Sequence, residues 1–470
     1  MKYELVSGLE THVELSTATK IFCSCTTAFG GEPNTHCCPV CTGMPGSLPI
    51  LNQKVVEYAI RAGLATHCTI NRITHMDRKN YCYPDLPKAY QISQFDEPVC
   101  EHGYVELDSG KRIGITRIHI EEDAGKLVHE RGFTFVDYNR GGVPLIEIVS
   151  EPDISSPEEA KEYLEKLQLI MRYIGVSDCK MQEGSMRADV NISLRPVGSK
   201  RLGTRTEIKN MSSPSFIVKA MQYEYERQAE ILDRGGAIEQ ATLRYNESDN
   251  TTVKMRGKED AQDYRYFPEP DILTVHIPDE KIEALKNSLP ELPSEKLARY
   301  QKELGLAEGT ARLIYPYQNV ARYFERVLAK GASPRTSANL IVGTVYATLK
   351  TEEEKEAFAL SVPEEEFALL VSYVDEGKMQ ASKAGSVLLQ MLESGKPVSA
   401  FVREEDLTGL SDGALKKLCE DAIAFNPKAV EDFKGGKEKA IGSLFGFIMK
   451  SSRGKADVKK AEVILRELLK

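Results

Sequence analysis

The stretch that decides the fold is Leu9-Glu-Thr-His-Val-Glu-Leu15, in which charged and apolar residues alternate. A period of two is typical of a β-strand with one buried and one polar face. Glu10, His12 and Glu14 therefore share one face of the predicted strand, and the leucines and Val13 share the other. Two carboxylates and an imidazole therefore line one side of this strand.

Four further stretches read as strands that carry charged residues. They are 112–120, which runs into Glu121, Glu122 and Asp123; 143–151, with Glu147 and Glu151; 186–194, with Arg187, Asp189 and Asn191; and 206–210, with Glu207 and Lys209. In the first, the apolar phase shifts by one between Ile115 and Ile118, which predicts a β-bulge. Each strand alone is explained by an antiparallel sheet with a wet face. Five together predict one face that is rich in carboxylates and cations.

Such a face has the groups that phosphoryl transfer requires, since carboxylates bind Mg²⁺ and cations bind a triphosphate. The sequence contains neither Gly-x-x-x-x-Gly-Lys-Ser/Thr nor Gly-x-Gly-x-x-Gly. A P-loop enzyme is therefore excluded, and a Rossmann site is not supported. A nucleotide, if one binds, would bind through the sheet and metal ions. The predicted face carries Glu10, His12, Glu121, Glu122, Glu147, Glu151 and Glu207 beside Lys126, Arg187 and Lys209.

Five of the ten cysteines fall within residues 23–41. Cys23-Ser-Cys25 and Cys38-Pro-Val-Cys41 form two close pairs, the spacing of a structural zinc site with four thiolates. Cys37 adjoins the second pair, so either Cys37 or Cys38 could be the ligand. Free buried thiols or a redox pair are the alternatives to zinc. A closed site with four ligands would stabilise its loop and take no part in catalysis.

Composition indicates a large globular protein. The 470 residues carry a formal charge of −9, with 41% hydrophobic residues, and a chain this long is expected to form two to four domains. The first residues show no apolar signal segment and no stretch approaches the length of a membrane span, so we expect a cytoplasmic protein with reduced thiols and no membrane association. Net acidity argues against a dedicated nucleic-acid binder, but residues 434–470 hold ten Lys and Arg against four Asp and Glu, a local charge of +6.

The fold class predicted is α+β. Strand patterns and a few helices extend to a proline-interrupted boundary, and amphipathic helical patterns follow it. We predict an antiparallel-sheet domain over 1–292 that contains the cysteine loop 23–41, an all-α domain over 293–405, and a small helical tail domain over 406–470 that contacts RNA. Two helix starts or ends are marked clearly: Ser156-Pro-Glu-Glu159 begins one helix with a capping box, and Gly235-Gly236 ends another near Leu232.

Several long motifs are shared with one known family. They are Gly8-Leu-Glu-Thr-His-Val-Glu-Leu15, Asp77-Arg-Lys-Asn-Tyr-Cys-Tyr-Pro-Asp-Leu-Pro-Lys88, His119-Ile-Glu-Glu-Asp-Ala-Gly-Lys126, Pro144-Leu-Ile-Glu-Ile-Val-Ser-Glu-Pro-Asp153 and Asp263-Tyr-Arg-Tyr-Phe-Pro-Glu-Pro-Asp271. Over essentially its whole length the chain resembles the B-subunit family of the aspartyl/glutamyl-tRNA(Asn/Gln) amidotransferases. The resemblance implies a cradle-shaped catalytic domain, similar in architecture to glutamine synthetase-like kinases, followed by helical domains.

The resemblance also implies an activity, cofactors and partners. Family members are ATP-dependent carbon-nitrogen ligases that use glutamine as the amido donor. With ATP and Mg²⁺ they phosphorylate the side-chain carboxylate of Asp-tRNA(Asn) or Glu-tRNA(Gln), and ammonia then displaces phosphate. The ammonia comes through a tunnel from a separate amidase subunit, and a third, small subunit completes a heterotrimer. Which misacylated tRNA is the substrate of this chain stays open.

Carried over by position, the family's metal and nucleotide site corresponds to Glu10, His12, Glu121 or Glu122, and Glu147 or Glu151. We therefore expect Arg187 and four magnesium ligands at the catalytic centre: Glu10, His12, Glu122 and Glu147. Nucleotide contacts are expected from Glu121, Lys126, Glu151, Glu207 and Lys209. Residues facing the substrate or the tunnel are expected to be Lys79, Tyr81, Lys88, Asp189 and Asn191.

Two other functions fit parts of the sequence. A noncatalytic, zinc-containing scaffold that binds tRNA and docks the amidase would need the cysteines and the basic tail but not the polar strand faces. A stand-alone ligase for free amino acids would need the polar faces but leaves the basic tail unexplained. Direct assay of amidation with supplied ammonia distinguishes the first from an enzyme, and comparison of free Glu with glutamyl-tRNA tests the second.

Overall fold

The computed structural model describes residues 2–257, 263–403, 407, 412–435, 437–452, 456 and 458–469. The chain forms two units, Met1–Leu292 and Pro293–Lys470. The first contains a large sheet with helices, and the second is helical in its described residues. The α+β class predicted from the sequence is confirmed.

The first unit contains the strands of the fold. Their bounds are β1 (Tyr3–Glu14), β2 (Thr69–Ile70), β3 (Ile73–Thr74), β4 (Asp77–Asn80), β5 (Tyr90–Ser93), β6 (Cys100–Glu106), β7 (Arg112–Glu122), β8 (Lys126–Glu130), β9 (Phe133–Asp137), β10 (Pro144–Ser150), β11 (Met186–Pro196), β12 (Thr206–Met211), β13 (Ala241–Asn246), β14 (Thr251–Gly257), β15 (Phe267–Pro268) and β16 (Val275–His276). In the described part of this unit, four helices accompany them: α1 (Gln53–Ala65), α2 (Pro157–Tyr173), α3 (Pro214–Asp233) and α4 (Asp279–Asn287).

The main sheet has nine strands in the order β14-β13-β12-β11-β1-β10-β7-β6-β2. The five stretches singled out in the sequence are therefore the adjacent central strands β12, β11, β1, β10 and β7. Neighbours pair antiparallel except β12 and β13, which are parallel. The predicted bulge is present, because Val149 lies opposite Arg117 whereas Ser150 lies opposite Ile115, so that one residue of β7 is extra.

One face of this sheet forms the core with helices α1, α2 and α3. Leu9 and Val13 of β1 and Val190 of β11 are at most 1% exposed, and they belong to one apolar cluster that includes Leu164 of α2 and Ile217 of α3. Because side chains alternate along a strand, burying Leu9 and Val13 on this side directs the intervening Glu10 and His12 to the other. The apolar pattern thus determines where the charged residues lie.

The ends of α2 and α3 show how the local sequence determines their bounds. The Ser156 hydroxyl caps α2 by accepting a hydrogen bond from the Glu159 backbone amide, as predicted. The Glu159 carboxylate, however, accepts from the Ser155 amide, one residue before the reciprocal bond of a capping box. Helix α3 begins at Pro214 and is followed by Gly235 at φ +75°, a left-handed conformation that costs glycine little.

The described part of the second unit is helical. Its α-helices are α5 (Pro293–Lys302), α6 (Glu308–Ile314), α7 (Gln318–Ala329), α8 (Pro334–Leu340), α9 (Tyr346–Thr348), α10 (Glu352–Glu356), α11 (Glu364–Asp375), α12 (Ala381–Ser394), α13 (Asp412–Phe425), α14 (Pro427–Lys434), α15 (Ile441–Ser451) and α16 (Val458–Leu469). A π-helical turn, Ile341–Val345, joins α8 to α9, and short 3₁₀ turns occupy Val398–Ala400 and Glu438–Ala440.

Two separate apolar clusters hold the second unit together. One spans α5 to α12 and is centred on Phe324 and Phe367, and the other is formed by α13, α15 and α16 around Leu444 and Leu465. The boundary predicted near 404–411 falls on residues that lie, apart from Leu407, outside the described part. No helix among the described residues has both the length and the apolar character needed to cross a bilayer.

Candidate active site

The polar face of the central strands brings one carboxylate between two imidazoles. Glu147 of β10 lies opposite His12 of β1 on one side and His119 of β7 on the other. Its Oε2 is 3.5 Å from His12 Nε2 and 3.3 Å from His119 Nε2. Arg117 donates to His119 Nδ1, which leaves the proton on the Nε2 that faces Glu147. Burial would raise the pKa of Glu147, but the two imidazoles outweigh burial and hold that pKa well below its ordinary value.

Glu121 of β7 completes this group. Its side chain is almost fully buried, and Lys79 Nζ lies 3.3 Å from Oε1. Oε2 has no hydrogen-bond partner among the described residues, which is costly for a buried carboxylate oxygen. Ligand atoms of His12, Glu121 and Glu147 lie within 4.8 Å of one another, close enough to bind one ion. The unpartnered oxygen makes this triad a candidate magnesium site.

A second group lies beside the first on the same face. Ligand atoms of Glu10, Asp189 and Glu207 are also within 4.8 Å of one another. Lys209 already neutralises part of this group, since its Nζ is 2.7 Å from Glu207 Oε1 and also contacts Asp189. Burial and the charge of Glu147 raise the pKa of Glu10, while Asn191, which donates to Glu10 at 2.9 Å, opposes the change. The negative charge of this group is therefore better compensated by protein side chains than that of the triad of His12, Glu121 and Glu147.

Arg187 closes the other end of the face. Its Nη2 donates to Asp123 Oδ2 at 3.0 Å, and Arg140 lies 3.4 Å from the same oxygen. Burial, followed by the charge of Asp123, raises the pKa of Glu14 to about 8. Glu14 and Asp123 therefore share one proton near neutral pH. Neither was predicted as a site residue, although Glu14 has the same strand parity as Glu10 and His12.

Aromatic rings surround Lys79. Its ammonium is 5.0 Å from the ring centroid of Tyr264 and 6.0 Å from that of Tyr81, distances at which a cation is attracted to a ring face. Burial opposes the charge, but Glu121 raises the pKa of Lys79 above its ordinary value. Tyr81 donates to Gln91 at 3.0 Å. Lys79 is thus a half-buried cation held at the edge of the polar face.

Glu122 does not join the other predicted magnesium ligands. It follows Glu121 on β7 and so points to the opposite side of the sheet, where its carboxylate accepts from Lys88 and from the Ile92 amide. The prediction that Glu122 shares a site with Glu10, His12 and Glu147 is therefore corrected to Glu121. Lys88 and Glu122 instead line a cavity of about 120 Å³ together with Lys20, Cys23 and Cys41.

Two other predicted nucleotide contacts lie apart from both carboxylate groups. Glu151 accepts a hydrogen bond from Thr116 at 2.8 Å, beside the β-bulge. Lys126 is exposed at the start of β8, opposite Asp137 of the β8–β9 hairpin. Neither residue belongs to a described cluster of candidate metal ligands. Strand β10 ends at Ser150, one residue before the predicted end at Glu151, and no strand was predicted at Lys126, where β8 begins.

The cysteine loop forms a compact cluster of four sulfurs. The Sγ atoms of Cys23, Cys25, Cys38 and Cys41 lie within 4.8 Å of one another, and those of Cys38 and Cys41 are 3.9 Å apart. Four sulfurs at a Zn–S distance of about 2.3 Å would be separated by ~3.8 Å, so the donor set fits tetrahedral zinc. Cys37 is not a member of this cluster, and its Sγ lies 3.9 Å from Asn139 Oδ1. The structure thus selects Cys38 as the fourth member.

One thiol of the loop, that of Cys41, is stabilised in its deprotonated form. A hydrogen bond from Cys23 lowers the pKa of Cys41 to about 4, against the effect of burial. The buried ammonium of Lys20 lies 3.8 Å from Cys41 Sγ and donates to the Tyr138 carbonyl at 3.1 Å. A thiolate is the form of cysteine that binds metals. The loop therefore has the sulfur geometry and a stabilised thiolate suited to a metal such as zinc.

Comparison with known proteins gives one consistent result. Residues 5–283 match the family described as the GatB/GatE catalytic domain, and residues 322–469 match the GatB domain. A protein of Thermoanaerobacter pseudethanolicus is 52% identical over 474 residues, covering 100% of both chains. Relatives from Caldicellulosiruptor saccharolyticus and Clostridium botulinum are 51% and 48% identical and cover at least 99% of each chain. All three are named as the B subunit of aspartyl/glutamyl-tRNA(Asn/Gln) amidotransferase. Two family domains and full-length identity near one half confirm the resemblance seen in the motifs, and the chain belongs to the GatB family.

Proposed function

We propose that this chain is the catalytic B subunit of a glutamine-dependent tRNA amidotransferase. Its polar face activates the side-chain carboxylate of Asp-tRNA(Asn), Glu-tRNA(Gln) or both by ATP-dependent phosphorylation, and ammonia converts the activated group to the amide. The observation that carries the proposal is the triad of His12, Glu121 and Glu147, with an unpartnered buried oxygen on Glu121. A polar face used only for solubility would not leave a carboxylate oxygen buried and unbonded.

In this proposal the carboxylates and His12 of the polar face bind metal ions, and its cations contact phosphate. His12, Glu121 and Glu147 would hold one Mg²⁺, and Glu10, Asp189 and Glu207 would share a second with Lys209. Bound MgATP supplies the phosphoryl group that turns the carboxylate oxygen into a good leaving group. Arg187 and Lys79 place positive charge where phosphate oxygens gain negative charge, which stabilises the transition state without a covalent enzyme intermediate. His119 is a positioning residue, because it contacts Glu147 and fixes the orientation of that ligand.

The Lys88–Glu122 pair serves the delivery of ammonia in this proposal. The pair lies in the cavity beside the cysteine loop, on the side of the sheet opposite to the triad. An ion pair in a narrow cavity provides polar atoms that can exchange hydrogen bonds with ammonia. Ammonia would come from a separate amidase subunit, with a third, small subunit completing a cytoplasmic heterotrimer. Zinc at the four cysteines would hold the loop that lines the cavity.

The three predicted regions take different roles. Residues 1–292 would form the catalytic domain, residues 293–405 a helical connector, and residues 406–470 a tRNA-binding tail. The charge of +6 over residues 434–470 supports this last role, since phosphate neutralisation requires clustered cations. The acidity of the rest of the chain is then compatible with binding tRNA.

The experiment uses the assembled complex and supplies ammonium chloride in place of glutamine. Glu147→Gln keeps the size of the side chain but removes the charge between the two histidines. We expect ATP-dependent amidation of Asp-tRNA(Asn) and Glu-tRNA(Gln) to fall by at least about 100-fold, because loss of a metal ligand removes several kcal/mol of charge stabilisation. Glutamine hydrolysis and tRNA binding should persist. Testing both tRNAs also establishes which is the substrate.

The matched control is Glu158→Gln, which removes an exposed carboxylate in the first turn of α2. It should amidate at the rate of the unmodified complex. If Glu147→Gln amidates both tRNAs as fast as this control does, the face is not catalytic and the noncatalytic scaffold becomes the better explanation. Activity on free Glu without tRNA would favour the stand-alone ligase.

A further inference from the structure

An imidazole outside the polar face lies among three carboxylates. His75 occupies the link between β3 and β4, Asp77 begins β4, and Asp96 and Glu97 follow β5. His75 Nε2 is 3.2 Å from Asp77 Oδ1 and 3.0 Å from Asp96 Oδ1, and His75 Nδ1 is 3.2 Å from Glu97 Oε2. No role in the proposed phosphorylation requires this cluster.

The surroundings of His75 Nε2 indicate that this atom could bind a metal ion. It is shielded from solvent and has no hydrogen-bond partner among the described residues, although two carboxylate oxygens lie close to it. The two short contacts therefore do not have the geometry of N–H···O hydrogen bonds. By contrast, the contact between Nδ1 and Glu97 does have hydrogen-bonding geometry. Since a carboxylate only accepts, the proton on Nδ1 points to Glu97 and the Nε2 lone pair can face the two aspartates.

The carboxylate of Asp77 is fixed in the orientation that this arrangement requires. Its Oδ2 accepts from the Phe95 amide at 2.9 Å, so Oδ1 is directed towards His75. The side chain of Asp77 is 4% exposed, which makes an uncompensated negative charge there expensive. The Asp96 side chain is 66% exposed and reaches the site from the loop. The three candidate ligand atoms thus differ in exposure: Asp77 Oδ1 belongs to a buried side chain, His75 Nε2 is shielded from solvent, and Asp96 Oδ1 belongs to an exposed side chain.

The distances match the edges of a coordination polyhedron. With ligands about 2.1 Å from an ion, two ligand atoms at right angles are separated by ~3.0 Å and two at a tetrahedral angle by ~3.4 Å. The observed separations of 3.0 and 3.2 Å lie in this interval. A carboxylate on the outer nitrogen of the imidazole is the usual second partner of a metal-bound histidine, and Glu97 occupies that position.

We propose that His75 Nε2, Asp77 Oδ1 and Asp96 Oδ1 bind a divalent transition-metal ion with one nitrogen and two oxygen ligands, such as Mn²⁺. Mixed imidazole and carboxylate ligands suit such an ion better than Ca²⁺, which takes oxygen ligands, or a thiol-seeking ion. The bound ion fastens β4 to the loop after β5. That loop carries Phe95, which stacks on Tyr266 with ring centroids 4.4 Å apart. The site is separate from the triad and stands whether or not the polar face transfers phosphate.

The test counts bound Mn²⁺ on the metal-stripped full chain, with free Mn²⁺ followed by electron paramagnetic resonance. His75→Gln should bind one equivalent fewer than the unmodified chain. Asp96→Asn changes only the exposed ligand and should lower the affinity for the Mn²⁺ ion at this site by at least about tenfold. This second variant makes the result independent of whether the fold tolerates a change at His75. His129→Gln is the control, because His129 is an exposed histidine that contacts Thr134 instead of a carboxylate.

Crystals soaked in Mn²⁺ locate the ion directly. An anomalous difference peak about 2.0–2.3 Å from His75 Nε2 supports the site, at the distances that first-row ions take. Identical Mn²⁺ binding by His75→Gln, Asp96→Asn and His129→Gln, with no peak at His75, overturns the proposal. His75 would then be a protonated imidazole that neutralises its three neighbours.

Discussion

Replacing Glu14 with Gln should make the stability of the fold less dependent on pH. Burial and the neighbouring Asp123 raise the pKa of Glu14 from 4.5 to about 8. The folded chain therefore keeps a proton on this group over a range in which the unfolded chain has released it. Gln resembles the protonated acid in size and hydrogen bonding and does not titrate, so the variant retains the neutral form at every pH.

The difference in proton binding between the folded and unfolded chain determines whether stability rises or falls with pH. Between pH 4.5 and about 8 the folded chain binds more protons at Glu14 than the unfolded chain, so this group's contribution to the free energy of unfolding falls as pH rises. The steepest fall is about 1.4 kcal/mol per pH unit. Glu14 is half-buried and interacts with Asp123, so we expect less than this maximum slope over the whole range. The expected loss in the free energy of unfolding between pH 5 and pH 8 is ~2 kcal/mol, which is within the range of single substitutions.

Urea unfolding followed by circular dichroism at pH 5, 6.5 and 8 measures the effect. From pH 5 to pH 8, the free energy of unfolding of Glu14→Gln should rise by about 2 kcal/mol relative to that of the unmodified chain. The reason is that only the unmodified chain loses stability at this position as the pH rises. Glu158→Gln removes an exposed carboxylate and serves as the control for a change in net charge. Parallel stability curves for Glu14→Gln and the unmodified chain from pH 5 to pH 8 would refute the account of the Glu14–Asp123 pair.

Three further predictions concern the cysteine loop, the polar face and the tail. Cys38→Ser should release the bound metal and lower the thermal midpoint, whereas Cys37→Ser, which is not a change within the cluster, should retain the metal by atomic absorption; equal loss from both would contradict the assignment. Lys79→Met removes the cation beside Glu121 and should slow ammonia-dependent amidation by at least about tenfold with unchanged tRNA affinity; an unchanged rate would remove Lys79 from the catalytic centre. Deleting residues 435–470 should weaken tRNA binding in a filter assay and reduce its salt dependence while glutamine hydrolysis persists. Unchanged affinity would show that another surface binds the tRNA.

The strands of the polar face could be predicted because their pattern is local. The alternation along β1 and β11 requires only neighbouring residues, and it correctly places Glu10 and His12 opposite the buried face. Strand order is not local, because β1 and β10 are neighbours in the sheet although β2 to β9 lie between them in the sequence. The pairing of His12 with Glu147 depends on that order. Sequence reasoning could therefore propose the residues of the site but not their partners.

The choice between Glu121 and Glu122 shows where the prediction failed. Consecutive strand residues face opposite sides, so a bulge of one residue exchanges the two faces for all positions beyond it. The sequence indicated the bulge in β7, but Glu122 was predicted as the magnesium ligand beside Glu147, and the structure places Glu121 there. His119 was not among the predicted site residues, although its parity with Glu121 is a usable signal. A residue's face is predictable only when the register of its strand is known.

The charge of −9 for the whole chain conceals how the polar face is balanced. Because residues 434–470 carry +6, the rest of the chain carries −15. On the polar face Lys209 compensates Asp189 and Glu207, and Arg187 compensates Asp123. At the triad, Lys79 and imidazoles face the carboxylates, and one oxygen of Glu121 has no hydrogen-bond partner among the described residues. A cation bound there relieves an unfavourable state of the folded chain and so stabilises it by mass action. We therefore expect the unbonded oxygen of Glu121 to be the atom through which the triad attracts a cation.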